Sequence, residues 1–220
     1  MKLRTLNILT VIACGYILLS ELSQLSVQFP RYLTLNELSL LQIKYIPMSL
    51  ALTYIMLSIF VLIKKFVKQV LIVRIVGAIL GICGVVQLLS INAYLSQTLS
   101  YVISMIKYFP LMEYMVIFEN FVLLLYGLLA VLICVNNFKS FISSKSALII
   151  TLVVICLGLL STILQNATMS IELFKNIRYL INFVIIVIMK YPALFLIYYI
   201  ALKPTLAEKG LQPKAIETNE

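Results

Sequence analysis

Nineteen residues, 45–63, stand between Lys44 and Lys64 without one charge among them, and charge-free stretches of similar length recur along the whole chain. Wound as an α-helix rising about 1.5 Å per residue, such a stretch crosses the roughly 30 Å hydrocarbon core of a bilayer. The sequence is 63% hydrophobic and 11% charged, with a mean hydropathy of +1.10. A soluble domain carries roughly a quarter charged residues, so a water-soluble fold has too little polar surface here to cover its apolar mass.

Charges divide the 220 residues into six runs, at about 5–29, 45–63, 75–94, 111–135, 147–165 and 177–202. These predict an all-α, polytopic transmembrane helical bundle, with residues 1–205 forming one membrane domain and 206–220 a flexible cytoplasmic tail. Met1-Lys2-Leu3-Arg4 before an apolar run imitates a signal peptide. No small-residue cleavage site follows it, and a retained first span is the expectation.

The net charge of +9 would suggest nucleic acid in a soluble protein, but here the basic residues flank apolar runs, where they encode topology. With the N-terminus inside, eleven of the 17 basic residues collect on the cytoplasmic side, including Lys64, Lys65, Lys68 and Arg74. Both termini are therefore expected in the cytoplasm of a cell whose plasma membrane holds the protein. Lys64, Lys65, Lys68 and Arg74 are expected to touch anionic lipid headgroups. Membrane lipids are the expected partners, with a protein partner or a second copy as a further one, and no nucleic acid.

The outer connections, about 30–44, 95–110 and 166–176, are longer, and 33–42 has the composition of a segment lying on headgroups. Asn166-Ala167-Thr168 forms a glycosylation sequon on that side.

An internal repeat is expected as well. Cys14-Gly15, Cys83-Gly84 and Cys156 with Gly158 each precede Leu-Leu-Ser, and Ser20, Ser90 and Ser161 are spaced by 70 and 71 residues. Lys44-Tyr45, Lys107-Tyr108 and Lys190-Tyr191 follow, each with a proline close behind. The pattern suggests three hairpins, 1–68, 69–140 and 141–205. In outline this is similar to the mitochondrial carriers, but the acidic residue that follows proline in their signature is absent, and no family is inferred.

Chemistry is constrained by what is missing, since the sequence contains neither His nor Asp. Triads, His-dependent phosphatases and Asp-ligated magnesium cannot be assembled within this chain. No catalytic residue, metal site or cofactor is expected, and the four cysteines, all in apolar runs without a Cys-x-x-Cys spacing, are expected as free thiols.

Two acidic residues, Glu113 and Glu119, fall in the first half of the fourth run, and Lys190 lies between apolar runs of 11 and 12 residues in the sixth. A lone charge at such depth is expensive, so a Glu119–Lys190 pair is predicted, read first as a packing pair and second as a ligand- or ion-facing site. Glu113 and Asn120 join the ligand-facing candidates. Gln87, Gln165, Asn182 and Glu21 add polarity to the outer halves of the spans, chiefly for interhelical hydrogen bonds. Gly77, Gly81 and Gly84 predict close helix packing, and Pro192 a kink. The leading reading is a non-enzymatic, membrane-embedded subunit of a larger complex. A small transporter or channel for a small or amphiphilic solute, with a Glu/Lys site, comes second, and a lipid-modifying enzyme third.

Overall fold

The structure, a computed structural model, describes residues 3–33, 38–67, 69–105, 110–168, 181 and 183–203, with side chains over 5–26, 46–67, 69–96, 114–165, 181, 183–185 and 187–203. Five long helices, α1 Leu3–Leu33, α2 Leu38–Phe66, α3 Val70–Met105, α4 Pro110–Phe138 and α5 Ser144–Thr168, precede a π-helical turn Ile186–Lys190 that runs into α6, Tyr191–Leu202. Each of the six carries or belongs to a stretch long and apolar enough to cross a membrane, the last being Phe183–Leu202. The protein is an integral membrane protein built as an all-α bundle of six spans.

Helix is the natural state for such residues in lipid, because it satisfies every backbone N–H and C=O within the segment. Outward side chains such as Ile12, Leu19, Ile82, Leu89, Ile149 and Ile188 are large, apolar and exposed. In lipid, that exposure costs nothing.

The helices outrun the hydrocarbon. The 36 residues of α3 extend about 54 Å at helical rise. The described parts of the connections expected at 30–44 and 95–110 are therefore helix, and 34–37 and 106–109 lie outside the described residues. The sequon Asn166-Ala167-Thr168 falls in the last turn of α5, and its side chains, those of 33–42 and that of Glu113, together with Asn182 and the tail 206–220, lie outside the described residues. Pro110 opens α4, where its missing N–H has no partner to lose, whereas Pro47 falls inside α2 because that helix starts upstream at Leu38.

Sequential helices pack as neighbours, and α6 returns to α1, closing a ring in which α2, α4 and α6 also touch one another inside. Their inward faces repeat at three- and four-residue spacing: Tyr54, Leu57, Phe60 and Val61 on α2; Tyr126, Leu129, Ala130 and Ile133 on α4; Leu194, Ile197, Tyr198 and Ala201 on α6. This is the helical period written in burial.

The most extensive pairing joins α3 to α4, and the glycine stripe is its reason. A Cβ on Gly81 would meet the Cys134 side chain at 2.7 Å, and one on Gly84 would meet the carbonyl oxygen of Gly127 at 2.8 Å. Small residues let the two backbones approach to a distance that any side chain would forbid.

At the end of the bundle where α1 begins and α6 ends, polar side chains tie the helices together. Lys64 Nζ donates to the carbonyls of Ala201 and Lys203 at 2.7 Å each, and Lys65 Nζ donates to Leu6 O at 3.2 Å and to the Thr10 hydroxyl. Asn136 Nδ2 donates to Leu202 O at 2.8 Å, and Asn137 Nδ2 to Val73 O at 3.2 Å. The first two lysines of the expected headgroup cluster are thus engaged within the chain. Arg74 is exposed, and Lys68 lies outside the described residues.

Candidate functional site

Opposite the termini, the half-bundle holds a cavity of about 180 Å³, and it forms where α2, α4, α5 and α6 meet. Its walls comprise Leu50 and Tyr54, Glu119, Val122, Leu123 and Tyr126, Gly158, Ser161, Thr162 and Gln165, and Lys190, Tyr191 and Leu194. Two of the predicted site residues, Glu119 and Lys190, share it. The predicted ion pair between them does not form.

Lys190 instead reaches Glu21 of α1, Nζ to Oε1 at 2.9 Å, with the two side chains 21% and 3% exposed. The cross-links at the termini explain the choice, because they put Leu6, Asn136 and Ala201 near one level. Glu21 stands 15 residues along from Leu6, Lys190 11 from Ala201 and Glu119 17 from Asn136, or about 22, 16 and 26 Å at helical rise. By this count Glu21 is the carboxylate nearer in depth to the lysine.

Pro192 places the lysine. It can donate no amide, and its ring crowds the carbonyl four residues back, so the α-helical hydrogen-bond pattern fails in the turn before it. The chain widens there into the π-helical turn Ile186–Lys190, a local irregularity of the kind often found at functional sites. Lys190 ends that turn with its ammonium also 5.4 Å from the ring centre of Tyr54.

Below the pair lies a tyrosine stack. Tyr126 meets Tyr54 edge-on, with centroids 5.8 Å apart and planes at 78°, and it stacks on Tyr198 at 5.8 Å and 23°. Gly158 makes room for it, since a Cβ there would collide with Tyr126 Oη. Tyr191 Oη donates to Gly158 O at 2.7 Å; its one proton being spent, it accepts from the Thr162 hydroxyl. Tyr126 Oη and Tyr198 Oη are buried without a hydrogen-bond partner among the described residues.

No family model matches the chain, and no curated protein or solved structure matches it significantly. The reading of the site therefore rests on its geometry.

Glu119 is half-buried in the cavity wall and has no hydrogen bond or ion pair with a described residue. Asn120, the neighbouring candidate, is turned away: it is buried, and its amide donates to Val116 O of its own helix at 2.8 Å. Gln87 Nε2 donates to Leu123 O at 2.9 Å and so ties α3 to α4 beside the cavity. The arrangement can hold a small solute against one carboxylate, several hydroxyls and aromatic faces.

Three features escaped the sequence reading. In sequence Glu21 reads only as outer-half polarity, yet it continues the stripe of Thr10, Ala13, Cys14 and Ile17, all buried. That periodicity was the available signal. The tyrosine stack and Asn136 carried none, because their partners lie on helices remote in sequence.

Proposed function

We propose that this integral membrane protein is a non-enzymatic carrier or channel for a small solute, which it takes up in the cavity between α2, α4, α5 and α6. Glu119 carries the proposal. An ionisable side chain within a span is costly and ordinarily marks a pathway or a partner, and Lys190 already has its partner in Glu21. A carboxylate with no hydrogen bond or ion pair among the described residues is one available to a ligand. This observation moves the solute reading ahead of the membrane-subunit reading that the sequence alone put first. Native mass spectrometry of the full chain in mild detergent tests it. A small molecule is expected to stay bound to the wild type and to be lost from Ser161→Phe, which fills the cavity. A stoichiometric second protein with no small molecule retained would return the subunit reading to first place.

The orientation belongs to the same proposal, with both termini cytoplasmic in the plasma membrane and the cavity facing out. It is supported by the basic residues gathered at the end where α1 begins and α6 ends, where the exposed Arg74 also suits anionic headgroups. In a cysteine-free background, a cysteine at Ser96 is expected to react with an impermeant thiol reagent applied outside, and one at Ser144 to stay protected. The reverse pattern would invert the protein. The threefold hairpin repeat stays a proposal too. It gains support from the inner ends of α2 and α4, where Lys64-Lys65 and Asn136-Asn137, 72 residues apart, each send one side chain to the end of α6 and the next to the first helix of their own hairpin.

A further inference from the structure

We infer that the solute is a small organic cation bearing an ammonium group, with Glu119 as the carboxylate that recognises it; this rests on the proposed solute-binding role of the cavity. Charge comes first. Glu21 and Lys190 cancel each other at 2.9 Å, so of the three formal charges that the described residues bring to the site only that of Glu119 is left over. Among the described residues an anion would meet that carboxylate with no free cation to offset it, because the one described ammonium in the wall, Lys190, is engaged. A monocation neutralises it.

Size favours an organic molecule over a bare metal ion as the occupant. The cavity's 180 Å³ exceeds the roughly 150 Å³ of an engineered protein cavity that accommodates benzene, so it suits a molecule of some six to eight heavy atoms. The walls agree with an organic cation. Ring faces attract cations, and the Tyr54 ring already does so with Lys190 at 5.4 Å. Tyr126 adds its aromatic side chain to the same wall, edge-on to Tyr54 with ring centroids 5.8 Å apart. A free amine and the ammonium head of an ethanolamine or choline lipid share this chemistry.

The test uses the full chain in nanodiscs of phosphatidylglycerol alone, at constant ionic strength, titrated calorimetrically with propylammonium, choline, 1-propanol and propionate. Propylammonium and choline are expected to bind, and Glu119→Gln to weaken both at least tenfold. Glu119→Asp, which keeps the charge, is expected to preserve the preference for propylammonium over propanol. Should Glu119→Gln fail to fold, the wild type's ratio of propylammonium to propanol affinity decides alone. If propanol binds as tightly as propylammonium and only Ser161→Phe abolishes it, the cation inference is overturned while solute binding stands. If nothing binds, or Ser161→Phe changes nothing, both are overturned. A weaker propylammonium response in discs that also contain phosphatidylethanolamine identifies a lipid head as the source of the ammonium; an unchanged one identifies a free solute.

Discussion

Glu21→Gln alone is expected to destabilise the protein more than Glu21→Gln combined with Lys190→Met. Each single change leaves one charge buried without its partner, and breaking a buried pair in this way costs about 3–5 kcal/mol. The double change removes both charges and should recover most of that loss, because the Coulombic gain of a buried pair largely offsets its own desolvation. Chemical or thermal denaturation in one mild detergent, run as a double-mutant cycle, measures the coupling directly. Glu119→Gln provides the contrast. It removes a carboxylate that the described fold leaves unpaired, so it should cost under about 1 kcal/mol and show no coupling to Lys190. Strong coupling of Lys190 to Glu119, with none to Glu21, would contradict the pairing at 2.9 Å.

The same residues show how far the sequence could be read. The spans were legible because lipid demands about twenty apolar residues at a time, and charges such as Lys44 and Lys64 bound them visibly. Gly77, Gly81 and Gly84 were legible too, since three small residues on one helix face can serve only close approach, and the structure uses them against α4. Pro192 was read as a kink, and it produces the π-helical turn before α6.

Partner choice was less legible, because it depends on relative heights and on which helices are neighbours. Glu119 and Glu21 are equally acidic in sequence. What separates them is that α1 closes the ring against α6 and that the cross-links from Lys64, Lys65 and Asn136 fix the vertical register. The tyrosines illustrate the same limit. Tyr54, Tyr126 and Tyr198 are three of 13 tyrosines, and only the inner triangle of α2, α4 and α6 makes them a stack.

Asn136→Leu is expected to lower stability by about 3 kcal/mol, because it strands three backbone groups at once, each costing roughly 1–3 kcal/mol when buried and unpaired, less whatever water recovers. Asn136 is 3% exposed, and its two functional atoms face in different directions. Oδ1 accepts from the amides of Phe141 and Ile142, at 3.1 and 3.0 Å, and so shapes the turn into α5. Nδ2 donates to Leu202 O, one of the last carbonyls of α6, which have no intrahelical donor. Lys64 serves the carbonyls on either side, Ala201 and Lys203, so three successive carbonyls at the end of α6 are satisfied by side chains from α2 and α4. Asn136→Asp separates the two jobs. Its carboxylate can still accept from Phe141 and Ile142, but it cannot donate to Leu202 and brings a negative charge to the negative end of the α6 dipole. It should therefore unfold no later than the leucine variant and selectively expose the α6 end to hydrogen exchange, while the amides of Phe141 and Ile142 stay protected. Lys64→Met, whose carbonyl at Lys203 is open to water, should cost only about 1 kcal/mol. Should Asn136→Leu prove as mild as Lys64→Met, the junction at Asn136 would not be what holds the last helix against α4, and the register that brings Lys190 to Glu21 would need another anchor.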